Sequence, residues 1–103
     1  MQVEHWDRER DGALSEAALR RKLEDRGYAV SRYVYGPGTW FPEHDHGVDK
    51  IDGVVSGLLR VSMNGISALL GPGDLVVIPK HCFHSVEVVG DQPVVSLDAV
   101  RRG

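Results

Sequence analysis

Residues 38–50 decide the fold that we predict, and they read Gly38-Thr-Trp-Phe-Pro-Glu-His44-Asp-His46-Gly-Val-Asp-Lys50. Side chains two residues apart on an extended strand point to the same face, so His44 and His46 present two imidazoles to one side, about 7 Å apart along the chain. A third histidine, His84, lies further along the chain, beside a later predicted strand. Imidazole is a common ligand of divalent metals, so the pattern is compatible with a metal site, although a lone His-x-His is more often a pair of ordinary surface or core histidines and needs further context.

The composition predicts one compact cytoplasmic domain. The chain has 103 residues, of which 42% are hydrophobic and 26% charged, enough for one core but too few for two domains. No apolar run has the length of a signal peptide or a membrane-spanning helix, so we expect no membrane partner. The single cysteine, Cys82, excludes an internal disulfide and agrees with a reducing compartment. A net charge of −3 without a basic cluster argues against nucleic acid and favours a small-molecule ligand.

Residues 1–27 predict a helical segment that packs on the outside of the main domain. They contain seven acidic and six basic residues, and a run of helix formers that stops at Gly27, a residue type common just past a helix end. We predict a helix from about Ser15 to Arg26, capped by Asp11 or Ser15. Its apolar stripe is modest, which is more typical of an ordinary packing helix than of a partner-binding one.

From Tyr28 onward the hydrophobic period changes to two, and residues 28–103 predict an all-β domain. Glycine and proline punctuate this part at short intervals, and Asn64-Gly65 is a typical hairpin turn. The predicted strands are residues 28–35, 39–46, 51–56, 58–63, 66–70, 75–78, 85–89 and 93–100. Short strands in this number, without an intervening helix, predict a sandwich or a barrel.

The spacing of glycines and histidines resembles the two sequence motifs of small single-domain cupins. The first motif places a glycine, five residues, His-x-His, three or four residues, a glutamate, six residues and a glycine. This chain has Gly38, His44, His46 and Gly57 at those positions, but Lys50 stands in the place of the glutamate.

The second cupin motif places a glycine, five residues, a proline, one residue, a glycine, two residues, a histidine, three residues and an asparagine. Gly73, Pro79 and His84 match this pattern, whereas His81 replaces the glycine and Val88 the asparagine. A histidine in a turn that favours glycine is expected to have a left-handed backbone and an exposed ring.

The resemblance implies a jelly-roll barrel, the double-stranded β-helix of the cupins, with the N-terminal α-helix outside it. It also implies that His44, His46 and His84, together with the usual glutamate, ligate a divalent metal ion. With Lys50 in the glutamate position, three neutral histidines remain, which suits zinc, iron or nickel. The alternative is that loss of the acid has abolished metal binding and the histidines only line the cavity. By the same resemblance we expect a homodimer.

Lys50 and Asp52 are the candidate catalytic residues. If the strand runs straight, both side chains face the cavity and form an ion pair that offsets the cost of a buried cation. The opposite arrangement turns Lys50 to solvent and leaves Asp52 nearer the metal. Trp40 shares strand parity with His44, so we expect it to face the cavity or the core.

Three functions remain open from the sequence. The first is a small metal-dependent enzyme, in which three histidines hold a Lewis acid while Lys50 and Asp52 move protons or bind an anionic group of a small polar substrate. The second is a noncatalytic module that binds a small ligand, and the third is a dimerisation domain with an empty barrel. The fold alone does not choose among them.

Overall fold

The computed structural model describes residues 1–102, which form two antiparallel sheets facing each other in a jelly roll. In chain order the elements are β1 (Gln2–Glu4), α1 (Arg8–Asp11), α2 (Glu16–Asp25), β2 (Tyr28–Tyr35), β3 (Trp40–His44), β4 (Lys50–Ser56), β5 (Leu58–Met63), β6 (Ile66–Leu70), β7 (Leu75–Ile78), β8 (His84–Val89) and β9 (Val94–Arg101). The five-stranded sheet has the order β1-β7-β4-β9-β2, and the four-stranded sheet the order β3-β8-β5-β6. The predicted all-β jelly roll with an N-terminal helix is confirmed.

Helix α2 covers the outer face of the five-stranded sheet. The Ser15 hydroxyl accepts a hydrogen bond from the Ala18 N–H at 3.0 Å and caps the first turn, so Ser15, and not Asp11, is the cap among the two predicted candidates. Leu19 and Leu23 are completely buried against the sheet. A Cβ atom added to Gly53 on β4 would lie 3.3 Å from the Leu19 side chain. The absence of a side chain at Gly53 therefore lets the helix approach the sheet closely.

The segment before α2 contains structure that the sequence did not predict. β1 extends the five-stranded sheet by pairing with β7, and the short helix α1 follows it. The Nδ1 atom of His5 lies 2.7 Å from a carboxylate oxygen of Asp74, and the Trp6 indole N–H donates to the Gly12 carbonyl at 2.9 Å. Neither α1 nor α2, the helices of residues 1–102, is long and apolar enough to cross a membrane.

The interior between the two sheets divides into an apolar half and a polar half. The apolar half is a cluster of buried aliphatic side chains: Val54, Leu59, Val61, Met63, Leu70, Val76, Ile78, Val86, Val88 and Val94. Burial of each such side chain contributes roughly 1.5–3 kcal/mol relative to exposure, so this half stabilises the barrel. The polar half contains histidine, lysine, aspartate, serine and tyrosine side chains around a cavity.

Candidate metal-binding site

Three histidines converge at one end of the barrel. His44 ends β3 and His84 begins β8, where the two residues are cross-strand partners, and His46 lies in the loop after β3. The ring centroids are 4.4 Å apart for His44 and His84, 4.8 Å for His44 and His46, and 5.3 Å for His46 and His84. Ligand nitrogen atoms of all three rings lie within 4.8 Å of one another. His44, His46 and His84 therefore form a group that can hold a metal ion.

A β-bulge in β3 decides which of its side chains face the cavity. Phe41 pairs with Val86, and His44 pairs with His84. The two paired positions are three residues apart on β3 but only two residues apart on β8, so β3 contains one extra residue. The extra residue lets Phe41 and His44 both line the cavity although they are three apart. Trp40 points outward and is 63% exposed. The prediction that Trp40 faces the cavity or the core is wrong, because it assumed unbroken strand alternation.

The loop after β3 positions His46, which lies beyond the end of that strand. The His81 N–H donates to the His46 carbonyl at 2.7 Å and ties this loop to the turn before β8. His81 has φ 62° and an exposed ring, as predicted for a histidine in a glycine position. The convergence of His44 and His46 thus depends on a loop contact rather than on strand periodicity.

Backbone contacts orient two of the three imidazoles. Nδ1 of His44 lies 2.7 Å from the Pro42 carbonyl oxygen, and Nδ1 of His84 lies 2.9 Å from that of Cys82. A carbonyl oxygen only accepts, so each Nδ1 carries the proton and Nε2 keeps its lone pair for an ion. Nε2 of His46 is buried and has no hydrogen-bond partner. All three rings thus have an Nε2 atom available as a ligand.

The protonation state of the histidines also suits a metal ion. Burial lowers the pKa of His46 and of His84, and the positive charge of Lys50 adds to this effect. Both rings are therefore neutral at neutral pH, as ligation requires. Two nitrogen ligands at about 2.1 Å from one tetrahedral ion are about 3.4 Å apart. The widest nitrogen pair, at up to 4.8 Å, would therefore have to close by up to about 1.4 Å, which requires rotation of the side chains.

Lys50 and Asp52 point into the same cavity from the start of β4. Both are buried, with exposed fractions of 9% and 6%, and the Lys50 Nζ lies 3.5 Å from Oδ1 of Asp52. This is the first of the two arrangements considered from the sequence, an inward-facing ion pair. Burial raises the pKa of Asp52 to about 6, and the nearby carboxylate of Asp98 adds to the rise while Lys50 opposes it.

A second polar group around Asp98 completes the cavity and was missed by the sequence analysis. Oδ1 of Asp98 accepts a hydrogen bond from the Ser96 hydroxyl at 2.6 Å, and Oδ2 accepts one from the Tyr35 hydroxyl at 3.0 Å. Burial and the negative charge of Asp98 together raise the pKa of Tyr35. Strand alternation along residues 93–100 places Ser96 and Asp98 on the same face, and this was the available sequence signal. Alternation does not tell which face of the strand is internal, because that depends on the pairing of β9.

The cavity has a volume of about 200 Å³ and lies between the two sheets. The four-stranded sheet and its loops supply the histidines, and the five-stranded sheet supplies Lys50, Asp52 and Asp98. The residues that line it are Tyr35, Phe41, His44, His46, Lys50, Asp52, Leu59, His84, Val86, Ser96 and Asp98. A ligand in this space contacts the histidines on one side and the aspartates on the other.

Comparison with known proteins gives a family match and structural neighbours. A family model described as "Cupin domain" matches residues 31–100, more than half of the chain. No curated protein sequence matches the chain significantly. Similar structures are KdgF from a Halomonas species (26% identity, TM-score 0.64), a cupin-like protein from Thermotoga maritima (25%, 0.65) and the DMSP lyase DddQ from Ruegeria pomeroyi (27%, 0.66).

The likeness to these structures covers unequal parts of the chains compared. The match with KdgF covers 75% of this chain and 72% of KdgF. The match with the Thermotoga maritima protein covers 73% of this chain and 57% of that protein, and the match with DddQ covers 74% of this chain and 39% of DddQ. This chain therefore spans less than two thirds of the length of two of them, and the likeness concerns the barrel rather than the whole of those proteins.

Proposed function

We propose that this chain, which belongs to the cupin family, is a metal-dependent enzyme that acts on a small polar molecule in the barrel cavity. His44, His46 and His84 hold a divalent ion, and zinc, iron or nickel suits three imidazoles. Lys50 and Asp52 handle the protons and anionic groups of the substrate. The observation that carries the proposal is that three available Nε2 atoms and a buried Lys50–Asp52 pair share one cavity.

The residues of the chain divide the work between binding and proton transfer. When bound, the ion supplies a Lewis acid that polarises a substrate oxygen. The hydrogen bonds of His44 and His84 to backbone carbonyls hold their rings in the ligating orientation. Asp52 has a pKa of about 6, so it exchanges a proton near neutral pH, as a general acid or base must. Lys50 offers its ammonium group to an anionic group of the substrate.

One structural neighbour supports catalysis over simple ligand binding. The protein from Ruegeria pomeroyi is a lyase by name, and 74% of this chain resembles part of it. A barrel of this shape can therefore carry catalysis. Because this chain spans 39% of the lyase, the substrate and the reaction of that enzyme are not transferred to it.

Metal analysis of the purified, untagged protein tests the first half of the proposal. We expect about one divalent ion per chain, lost on treatment with a chelator. Turnover of a substrate should fall with the chelator and with Lys50→Met, whereas Lys80→Met, which removes an exposed lysine, should leave it unchanged. Tight ligand binding without turnover in the metal-loaded protein would instead identify a noncatalytic binding module.

We also propose a homodimer formed through the outer face of the four-stranded sheet. No helix of residues 1–102 covers this face, and the cross-strand partners Trp40, Glu87, Arg60 and Leu69 form one row across it. Arg60 and Glu87 are ion-paired at its centre, and Trp40 and Leu69 are 63% and 52% exposed at its ends. A two-fold axis through the centre places Trp40 of one copy against Leu69 of the other and pairs the opposite charges.

The dimer is tested by light scattering at micromolar concentration. Wild-type protein should have the mass of two chains, and Trp40→Glu or Leu69→Glu should give single chains. Val34→Glu places the same charge at an exposed site on the other sheet and should stay dimeric. A wild-type protein that is monomeric throughout would refute the proposal.

A further inference from the structure

Two carboxylates lie directly opposite each other inside the barrel. Asp52 on β4 and Asp98 on β9 are cross-strand partners, and both line the cavity. The Cβ atoms of such partners are about 4.5–5.5 Å apart, and like charges at this distance destabilise a sheet. A chain that keeps two acids here needs groups that neutralise them or bind to them.

The hydrogen bonds of the two carboxylates are unequal. Both oxygens of Asp98 are bonded, one to the Ser96 hydroxyl and the other to the Tyr35 hydroxyl. Oδ1 of Asp52 is buried without a hydrogen-bond partner, because the Lys50 ammonium at 3.5 Å is too far away for a good hydrogen bond. A buried carboxylate oxygen without a donor is costly. Asp52 therefore presents an acceptor to the cavity that no residue in the described part of the chain satisfies.

We infer that Asp52, held beside Asp98, binds a hydroxyl group of the substrate, and that the substrate is a small hydroxycarboxylate. The inference rests on the proposed function, since the carboxylate end is placed at the ion. Three neutral imidazoles leave the charge of a divalent ion uncompensated, so an anionic oxygen is the favoured additional ligand. The hydroxyl end then donates to Asp52 on the opposite sheet.

The charge of the cavity favours a hydroxyl over an ammonium donor. Lys50 and the bound ion supply three positive charges, which the carboxylates of Asp52, Asp98 and the substrate balance. A further ammonium group would leave a net positive charge in a space of low dielectric, whereas a hydroxyl satisfies the acceptor without adding charge. The volume of about 200 Å³ holds roughly seven heavy atoms, if each takes about the 30 Å³ of a water molecule in the liquid. This is the size of a hydroxycarboxylate with three or four carbons.

Calorimetry with matched probes tests the inference. 3-Hydroxypropionate should bind the metal-loaded protein about 10- to 100-fold more tightly than propionate, the range expected for one hydrogen bond to a charged group. β-Alanine, which has an ammonium in place of the hydroxyl, should bind no more tightly than propionate. The preference for the hydroxyl should be lost in Asp52→Asn and kept in Asp91→Asn, an exposed aspartate in the turn between β8 and β9.

A measurement on the wild-type protein covers the case in which an aspartate variant does not fold. The carboxyl carbon resonance of Asp52 should shift on addition of 3-hydroxypropionate but not propionate, in metal-loaded and in chelator-treated protein. Equal affinity for the two acids, tighter binding of β-alanine, or no hydroxyl-dependent shift of Asp52 in either form would overturn the inference. Protein that takes up no metal but still shows the Asp52 shift would refute only the proposed metal function.

Discussion

Removal of the Lys50 charge should make the stability of the protein depend strongly on pH. The Lys50 ammonium lies 3.5 Å from the carboxylate of Asp52, and both side chains are buried. Lys50→Met keeps a side chain of similar length but leaves Asp52 facing Asp98 without a cation. A charged Asp52 would then be a buried, unpaired ion, which costs about 3–5 kcal/mol.

Asp52 limits this cost by taking up a proton, and that sets the direction of the pH effect. Its pKa is about 6 in the folded protein, above the ordinary value of 3.8, and Lys50 is the neighbour that holds it down. Loss of Lys50 raises the pKa further. Because the folded state then binds the proton more tightly than the unfolded state does, stability falls as pH rises, until the pH passes the folded pKa. In the wild type this decline ends near pH 6, whereas in the variant it continues above pH 6.

The free energy of unfolding measures the difference. Each pH unit changes it by at most about 1.4 kcal/mol, so the gap between wild type and Lys50→Met should widen by up to about 2.7 kcal/mol from pH 6.5 to 8.5. Urea unfolding in the presence of a chelator keeps metal binding out of the comparison. Lys80→Met, which removes an exposed lysine, should run parallel to the wild type. A gap for Lys50→Met that stays constant over this range would refute the buried pairing with Asp52.

The metal site, its pH dependence and one turn give further tests. His84→Ala should abolish metal content while His81→Ala preserves it, and retention of metal by His84→Ala would rule out the three-histidine site. Burial lowers the pKa of two ligand histidines, His46 and His84, so metal affinity measured by calorimetry should hold from pH 8 to pH 7 and fall at lower pH; a fall between pH 8 and 7 would contradict this. Lys50→Glu restores the acid of the cupin motif and removes a repelling cation, so it should tighten metal binding at least about tenfold, and unchanged affinity would place Lys50 outside the site. Gly57→Ala should lower the free energy of unfolding, measured in urea, by at least about 2 kcal/mol, because its Cβ would collide with a backbone carbonyl in the turn before β9. Gly90 has a similar φ but open space around it, so Gly90→Ala should lower the free energy of unfolding by only about 1–2 kcal/mol.

Local sequence signals were sufficient for most of the fold and for the three histidines. Period-two patterning and turn residues located β2 and β4 to β9, and the boundaries of α2 came from its cap at Ser15 and the glycine at Gly27. The spacing of His44, His46 and His84 matched a family motif, so their convergence was expected before any geometry was known. The strands and helix α2 are encoded within a few residues of where they occur, whereas the convergence of the three histidines was expected from the family motif alone.

The features that sequence reasoning missed depend on contacts between distant segments. β1 has only three residues, and it is a strand because β7 offers it a free edge. Trp40 was assigned to the inside because strand alternation was extended through Pro42, a residue type that in a strand is typical of a bulge or an edge. Asp98 was overlooked because its role comes from the pairing of β9 with β4, which brings it opposite Asp52.

The bulge in β3 also bears on aggregation. β3 is an edge strand of its sheet, and such an edge offers unpaired backbone groups to any other extended chain. Pro42 lies within the bulge and has no N–H to donate, and the irregular backbone around it interrupts the row of donors and acceptors. The segment that turns His44 toward the other histidines therefore also makes this edge a poor template for an added strand. Straightening it, by replacing Pro42 or deleting one residue of the bulge, would be expected to disturb the histidine site and to expose the protein to edge-to-edge association at the same time.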